Sequence, residues 1–183
     1  GGERNCEKPQ GFDAGNSPSE YKKEMVDGKN VIITTTNGTK LFQKAKKAKV
    51  RLIGAFVNYD SVVNFLEGVI QINKESNINT DICFLCAGTN GRMSYEDTLC
   101  AGAFINRIAR NYFDVHITDT AHAAQSLFEI NENNLVEFIS KSQHAEKLKN
   151  LKLEKDIKEC LTYNKYNVLP VIHANSIKKF EAW

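Results

Sequence analysis

The chain has 183 residues and a mass of 20.6 kDa, with 42% hydrophobic and 25% charged residues, a composition that suits one globular domain over 1–183 with its own core. Its 24 basic and 22 acidic residues leave a formal net charge of +2, which argues against a dedicated nucleic-acid binder. No apolar run approaches the roughly 18 residues of a membrane-spanning helix, so no membrane partner is expected.

The first thirty residues are rich in turn formers: Pro9, Gly11, Gly15, Asn16-Ser17-Pro18 and Asp27-Gly28. Long irregular stretches of this kind in compact domains often carry function. The chain opens on Gly-Gly-Glu-Arg without Met, so an upstream segment stays open. Next comes an alternation of elements. Residues 31–35 read as a buried strand, 39–48 as a helix, 50–56 as a second strand and 60–72 as a second helix. Val62, Val63, Leu66, Val69 and Ile70 carry the helical spacing of that second helix. Residues 81–87 form a near-continuous apolar run, as a strand covered on both faces would. A third helix is expected over 95–111, with Leu99, Phe104, Ile105 and Ile108 in the core. The C-terminal third reads as helices at 118–131, 135–148 and 154–161, and a last strand over 168–173.

Strand–helix alternation predicts an α/β fold: three layers, α/β/α, with a mainly parallel sheet and a helical C-terminal third. In such sheets ligands sit beyond the carboxyl ends of the strands. Three strand ends therefore matter: Thr34 to Thr39, then Val57-Asn58-Tyr59-Asp60, then Gly88-Thr89-Asn90-Gly91-Arg92-Met93-Ser94. Each is polar and feeds a helix N-terminus, where free N–H groups favour anions.

Thr35-Thr36-Asn37-Gly38-Thr39 fits an anion cradle, because glycine admits close backbone approach and hydroxyls add donors. It also fits a plain Asn-Gly turn with Thr39 as a cap. It does not match the phosphate loop of nucleotide-binding proteins. Ser94-Tyr95-Glu96-Asp97 reads either as a capping box or as a source of a metal-binding or acid/base carboxylate, Glu96 or Asp97. Arg4 is a fork for phosphate or sulfonate, or else a salt-bridge partner of Glu3.

His116, His122, His144 and His173 have no zinc-hydrolase spacing, and His122, near Asp119, reads as a helix-surface residue. No G-x-S-x-G elbow is present. The cysteines Cys6, Cys83, Cys86, Cys100 and Cys160 are odd in number, so reduced thiols in a cytoplasmic protein are expected. Cys83 and Cys86 would face opposite sides of a strand and so are poorly placed to share a metal.

Five stretches occur in an order that resembles the 2-phosphosulfolactate phosphatase family. They are Gly2-Glu3-Arg4, Gly11-Phe12-Asp13-Ala14-Gly15-Asn16-Ser17-Pro18, Thr34 to Thr39, Ala87-Gly88-Thr89, and Ser94-Tyr95-Glu96-Asp97 through Cys100-Ala101-Gly102. Ser142-Gln143-His144-Ala145 and Lys155-Asp156-Ile157 extend the likeness to nearly the whole chain. The resemblance implies a Mg²⁺-dependent enzyme of coenzyme M biosynthesis that converts 2-phospho-3-sulfolactate to 3-sulfolactate and phosphate. It implies a small anionic phosphate ester as the partner molecule, and it leaves a homo-oligomer open. Asp97, Glu96 and Arg4 then become the expected catalytic residues, with Mg²⁺ on Asp97, Glu96 and Asp119. Asn16, Ser17, Thr35, Thr36, Asn37, Gly38, Thr39, Asn58, Gly88 and Thr89 are expected to bind substrate. Family members also begin with a strand and an Asp-x-Leu-Arg-Ala motif that nothing here matches, so a missing N-terminal segment is expected. Two alternatives stand beside the phosphatase: a non-catalytic anion-binding module, and a phosphatase of the same fold with another metabolite.

Overall fold

In the computed structural model, which describes residues 1–181, the segments with helical apolar spacing fold as helices. They are α1 (Lys23–Val26), α2 (Thr39–Lys44), α3 (Tyr59–Glu75), α4 (Tyr95–Asn111), α5 (Asp119–Asn131), α6 (Leu135–Ile139), α7 (Gln143–Asn150) and α8 (Glu154–Cys160), followed by strands β1 (Pro170–His173) and β2 (Ser176–Lys179). The helix expected over 39–48 ends early as α2 and tightens into a 3₁₀ turn at Ala45–Lys47. The one expected over 135–148 is divided into α6 and α7. Ser142 causes the break, since its hydroxyl accepts the N–H of Ala145 at 3.1 Å and starts a new helix. Among the described residues, no helix is long and apolar enough to cross a membrane.

The core is centred on α4. Leu99, Phe104, Ile105 and Ile108 are buried as their spacing requires. Leu99 and Ala103 pack with Phe56, Phe128, Leu135, Ile139, Ala145 and Ile157, which ties α5, α6, α7 and α8 to α4. A second cluster joins Val62 and Val63 of α3 to Phe104, with Leu52, Leu66 and Phe84 against it. Gly102 sets the close approach of α4 to α5: a Cβ there would lie 2.1 Å from the Ala124 carbonyl oxygen.

The described residues show the α/β class but not the expected three-layer parallel sheet. The molecule is α/β, but the sheet among the described residues is a two-stranded antiparallel hairpin, with Ile172 opposite Ile177. Segment 50–56 touches this hairpin through a single bridge, Leu52 to Val171. Ile53 N–H donates to the Pro170 carbonyl at 3.0 Å, and Ile172 N–H to the Arg51 carbonyl at 2.9 Å. Segment 31–35 has one parallel bridge, Gly2 to Thr34, and segment 81–87 makes no backbone–backbone hydrogen bond among the described residues. A ladder needs neighbours about 4.8 Å apart. Here the extended segments instead line a cavity of about 2530 Å³.

The apolar side chains of these segments stay accordingly open, Ile32 at 83% and Leu85 at 44% exposure. The accessible surface is 12675 Å², against about 8,900 Å² for a compact monomer of 20.6 kDa.

Candidate active site

Residues 34–39 run from extended chain into α2, and the chain N-terminus lies against them. Gly2 pairs with Thr34, and a Cβ on Gly2 would fall within 1.9 Å of the Thr34 carbonyl oxygen. Glu3 is thereby delivered to the threonines. Its carboxylate accepts the Thr36 N–H at 2.5 Å, the Thr36 hydroxyl at 2.9 Å and the Cys6 N–H at 2.9 Å. Partial burial works to raise the Glu3 pKa. The hydrogen bonds from Thr36 and Cys6, with the Arg4 charge, outweigh it and hold the carboxyl below its ordinary value.

The anion that the threonine loop holds is thus one of the protein's own, the Glu3 carboxylate on Thr36. Thr35 Oγ1 accepts the Thr39 N–H at 3.1 Å, while the Asn37 and Gly38 N–H groups have no acceptor among the described residues. Arg4 neither pairs with the Glu3 carboxylate nor lines the cavity. It donates to the Glu3 carbonyl at 2.9 Å and to the Thr34 hydroxyl, with an exposed guanidinium beside the loop.

The 88–92 loop is a tight reversal in which Thr89 and Arg92 exchange both backbone hydrogen bonds, at 2.9 and 3.0 Å. Asn90 and Gly91 turn it with φ of 52° and 77°, the left-handed pair that a two-residue hairpin turn requires. Gly88 has φ +65°, and a Cβ there would lie 2.3 Å from the Arg92 carbonyl oxygen. Its N–H donates to Asp97 Oδ2 at 2.6 Å. The capping box is thus only half present. Ser94 Oγ accepts the Asp97 N–H at 3.3 Å, but the Asp97 carboxylate reaches Gly88 instead of returning to Ser94. Asn90 N–H donates to Asn37 Oδ1 at 3.3 Å, which fastens this loop to the threonine loop.

Glu96, beside Asp97, accepts the Ser142 hydroxyl on Oε1 at 3.1 Å, so the starts of α4 and α7 meet there. Its Oε2 is buried without a hydrogen-bond partner, as is Nδ1 of His144. Thr35, Thr36, Asn37, Gly38, Thr39, Gly88, Thr89, Glu96 and Asp97 all face the one cavity, at the end where the polar loops converge. Asn16 and Ser17 line it as well, with Ser17 buried and sharing a 2.8 Å hydrogen bond with Ser19.

Two expected site residues lie elsewhere. Asn58 is buried and spent on structure. Its Oδ1 accepts the Ala55 N–H at 2.8 Å, and its Nδ2 donates to the carbonyls of Ile53 at 3.1 Å and Val168 at 3.2 Å. Asp119 is exposed at the start of α5 and does not line the cavity. Among the described residues, no group of three or more His, Cys, Asp or Glu side chains gathers into a metal cage. Glu96 Oε2 is the free buried carboxylate oxygen, which fits a Mg²⁺ held by one or two carboxylates plus water and substrate phosphate.

A cysteine nucleophile has no support here. Burial, helped by the Asp97 charge, pushes the Cys100 thiol up to about 12. Glu3, Asn90, Ser142 and His144 are the residues that sequence reasoning did not place in the site. Glu3 had a signal in its position beside Arg4, whereas the other three depend on contacts distant in sequence.

A family model described as 2-phosphosulpholactate phosphatase matches residues 1–175. A protein of Thermotoga maritima, named probable 2-phosphosulfolactate phosphatase, is 42% identical over 171 residues, 93% of this chain and 69% of its own length. One of Clostridium perfringens strain SM101 with the same name is 40% identical over 182 residues, 100% of this chain and 69% of its own. One of Clostridium botulinum strain Eklund 17B, again so named, is 34% identical over 179 residues, 98% and 71% of the two lengths. With the ordered loops above and this match along almost its whole length, the chain belongs to the 2-phosphosulfolactate phosphatase family.

Proposed function

We propose that this chain hydrolyses the phosphate monoester of 2-phosphosulfolactate, releasing 3-sulfolactate and phosphate. The observation that carries the reading is the family match over residues 1–175, with relatives that bear this activity in their names. The geometry supports it. A threonine loop with free N–H groups and a loop that orients a carboxylate are fastened together by the Asn90–Asn37 hydrogen bond, at one end of one cavity.

In this reading the Asn37 and Gly38 N–H groups and the Thr35 hydroxyl receive an anionic group of the substrate, while Thr36 and Thr39, whose hydroxyls donate to the Glu3 carboxylate and the Thr35 carbonyl, hold the loop in shape around it. Arg4 attracts it from the rim, and Asn16, Ser17, Gly88 and Thr89 shape the rest. Asp97 is held by the Gly88 N–H on Oδ2, which leaves its other oxygen for the reacting group. Phosphoryl transfer requires mainly positioning and charge stabilisation, which these groups provide. Mg²⁺ would be held by Glu96 with Asp97, and when bound it neutralises phosphate charge. The free thiols of Cys6, Cys83, Cys86, Cys100 and Cys160 fit a cytoplasmic setting.

The same proposal includes the finer architecture. Segments 31–35, 50–56 and 81–87 belong to one parallel sheet between helical layers, completed by a further strand in the space they line. Their two-sided apolar sequences and unpaired backbone groups support this. A homo-oligomer covering the same segments is the competing arrangement.

The test is phosphate release from 2-phosphosulfolactate by the full-length protein. Release with Mg²⁺ that stops with EDTA is expected. No release across a panel of small phosphate esters, with phosphate binding seen by calorimetry, would instead establish a non-catalytic anion-binding module. Release only from other esters would point to another metabolite.

A further inference from the structure

Among the described residues, Glu96 Oε2 and His144 Nδ1 are buried polar atoms without a hydrogen-bond partner. Native proteins keep few such atoms, and each asks for an explanation. These two line the same cavity, although they stand far apart in sequence. Each is the second residue of its helix, α4 or α7. The Ser142 hydroxyl, two residues before His144, donates to Glu96 Oε1 at 3.1 Å and brings the two helix starts together. Both atoms are closed to solvent as the chain stands, and a ligand whose polar atoms take the place of the neighbours that cover them would satisfy both.

We propose that His144 is a catalytic residue of the hydrolysis, the acid that protonates the leaving oxygen. The inference rests on the phosphatase reading above. The leaving group there is a secondary alkoxide, too basic to depart without a proton, and histidine is the side chain most often used to supply one. The oxygen of water bonds to phosphorus, and the bond from phosphorus to the ester oxygen breaks with its electron pair left on that oxygen. The ester oxygen takes the Nδ1 proton. The proton lost by the attacking water restores the imidazolium, so the net change is ester plus water to alcohol plus phosphate. Glu96, held on one oxygen by Ser142, keeps the other for the metal. The two unpartnered atoms thus serve opposite ends of one reaction.

The test compares two esters in the full-length protein: 2-phosphosulfolactate and its analogue with sulfur in place of the bridging ester oxygen. A thiolate leaves without a proton, so the analogue bypasses the acid. In His144→Asn an amide near the Nδ1 position keeps a hydrogen bond but cannot transfer a proton. The expected result is a fall in kcat on the oxygen ester of about 10²-fold or more. KM should hold nearly steady and kcat on the sulfur analogue should be nearly unchanged. His144→Gln should behave alike. A folded variant that loses both activities equally, or keeps full kcat on the oxygen ester, overturns the assignment. Loss of folding in both variants overturns it too, since His144 would then be a structural residue. Wild-type protein inactive on both esters would instead overturn the phosphatase reading.

Discussion

Leu99 on α4 is fully buried, while Leu85 in the 81–87 segment is 44% exposed, although both stand in equally apolar sequence. The helical region around α4 and the extended segments opposite it differ in how they satisfy the backbone. A helix closes its own hydrogen bonds, so an apolar stripe needs only another helix to cover it. An extended segment closes none, and it needs a neighbour on each edge as well as a cover on each face. α4 has α5 against its Gly102 and the helices from α6 to α8 around Leu99. Segment 31–35 is paired on one edge only, by Gly1 to Glu3, and segment 81–87 has no backbone partner among the described residues. The cavity between them joins the polar loops to an apolar slot. At about 2530 Å³ that cavity far exceeds the roughly 300–1,000 Å³ of a small-molecule site. Under the proposed function the ligand end is the part where the Thr35–Thr39 and Gly88–Asp97 loops meet the start of α7.

Substitutions can break this contrast. Leu99→Ala removes a side chain with 0% exposure and should lower stability by about 2–5 kcal/mol in urea unfolding. A loss under 1 kcal/mol would mean that the α4 core is no tighter than the extended half. Gly88→Ala is next, because it sets a Cβ 2.3 Å from the Arg92 carbonyl oxygen at φ +65°. It should cost about 1–3 kcal/mol and lower phosphate release by disturbing the N–H that holds Asp97. Unchanged activity would separate the loop from the chemistry. In the 183-residue chain Leu85→Ala should cost only about 0.5 kcal/mol or less, since the side chain there meets solvent. A cost like that of Leu99→Ala would show the slot to be closed in solution.

The smallest effect concerns pH. The Glu3 carboxyl titrates below its ordinary 4.5 in the folded chain, so its contribution to stability is complete above pH 4.5 and is lost as pH falls through the lower folded value. Melting temperatures of Glu3→Gln should accordingly vary less with pH in that acid range than those of the parent. Parallel curves would place the stabilising anion elsewhere.

Much of the helical region was legible in the sequence, because helical order is encoded within a dozen neighbouring residues. Helix α4 begins and ends where the spacing of Leu99, Phe104, Ile105 and Ile108 places it. The sheet was not legible to the same degree. Apolar runs mark where strands can form but not what pairs with them, and pairing is a long-range property. The site divides along the same line. The Thr35–Thr39 and Gly88–Asp97 loops carry their turn chemistry in sequence and meet at the cavity. Asn58 looked equally polar and equally well placed at a strand end, yet three hydrogen bonds to the backbone of residues 53, 55 and 168 consume it. Glu3 and His144 stand in stretches that carry the family resemblance, but the contacts that bring them to the site, Glu3 with Thr36 and Ser142 with Glu96, are distant in sequence.

The claim that the chemistry lies where these loops converge rests most directly on Asp97. Steady-state phosphate release from 2-phosphosulfolactate by Asp97→Asn, measured beside its urea midpoint, tests it. A fall in kcat of about 10²-fold or more is expected, with a midpoint close to the parent's because the amide oxygen can still accept the Gly88 N–H. Near-normal turnover would reduce Asp97 to a residue that only tethers the 88–92 loop, and would contradict the account.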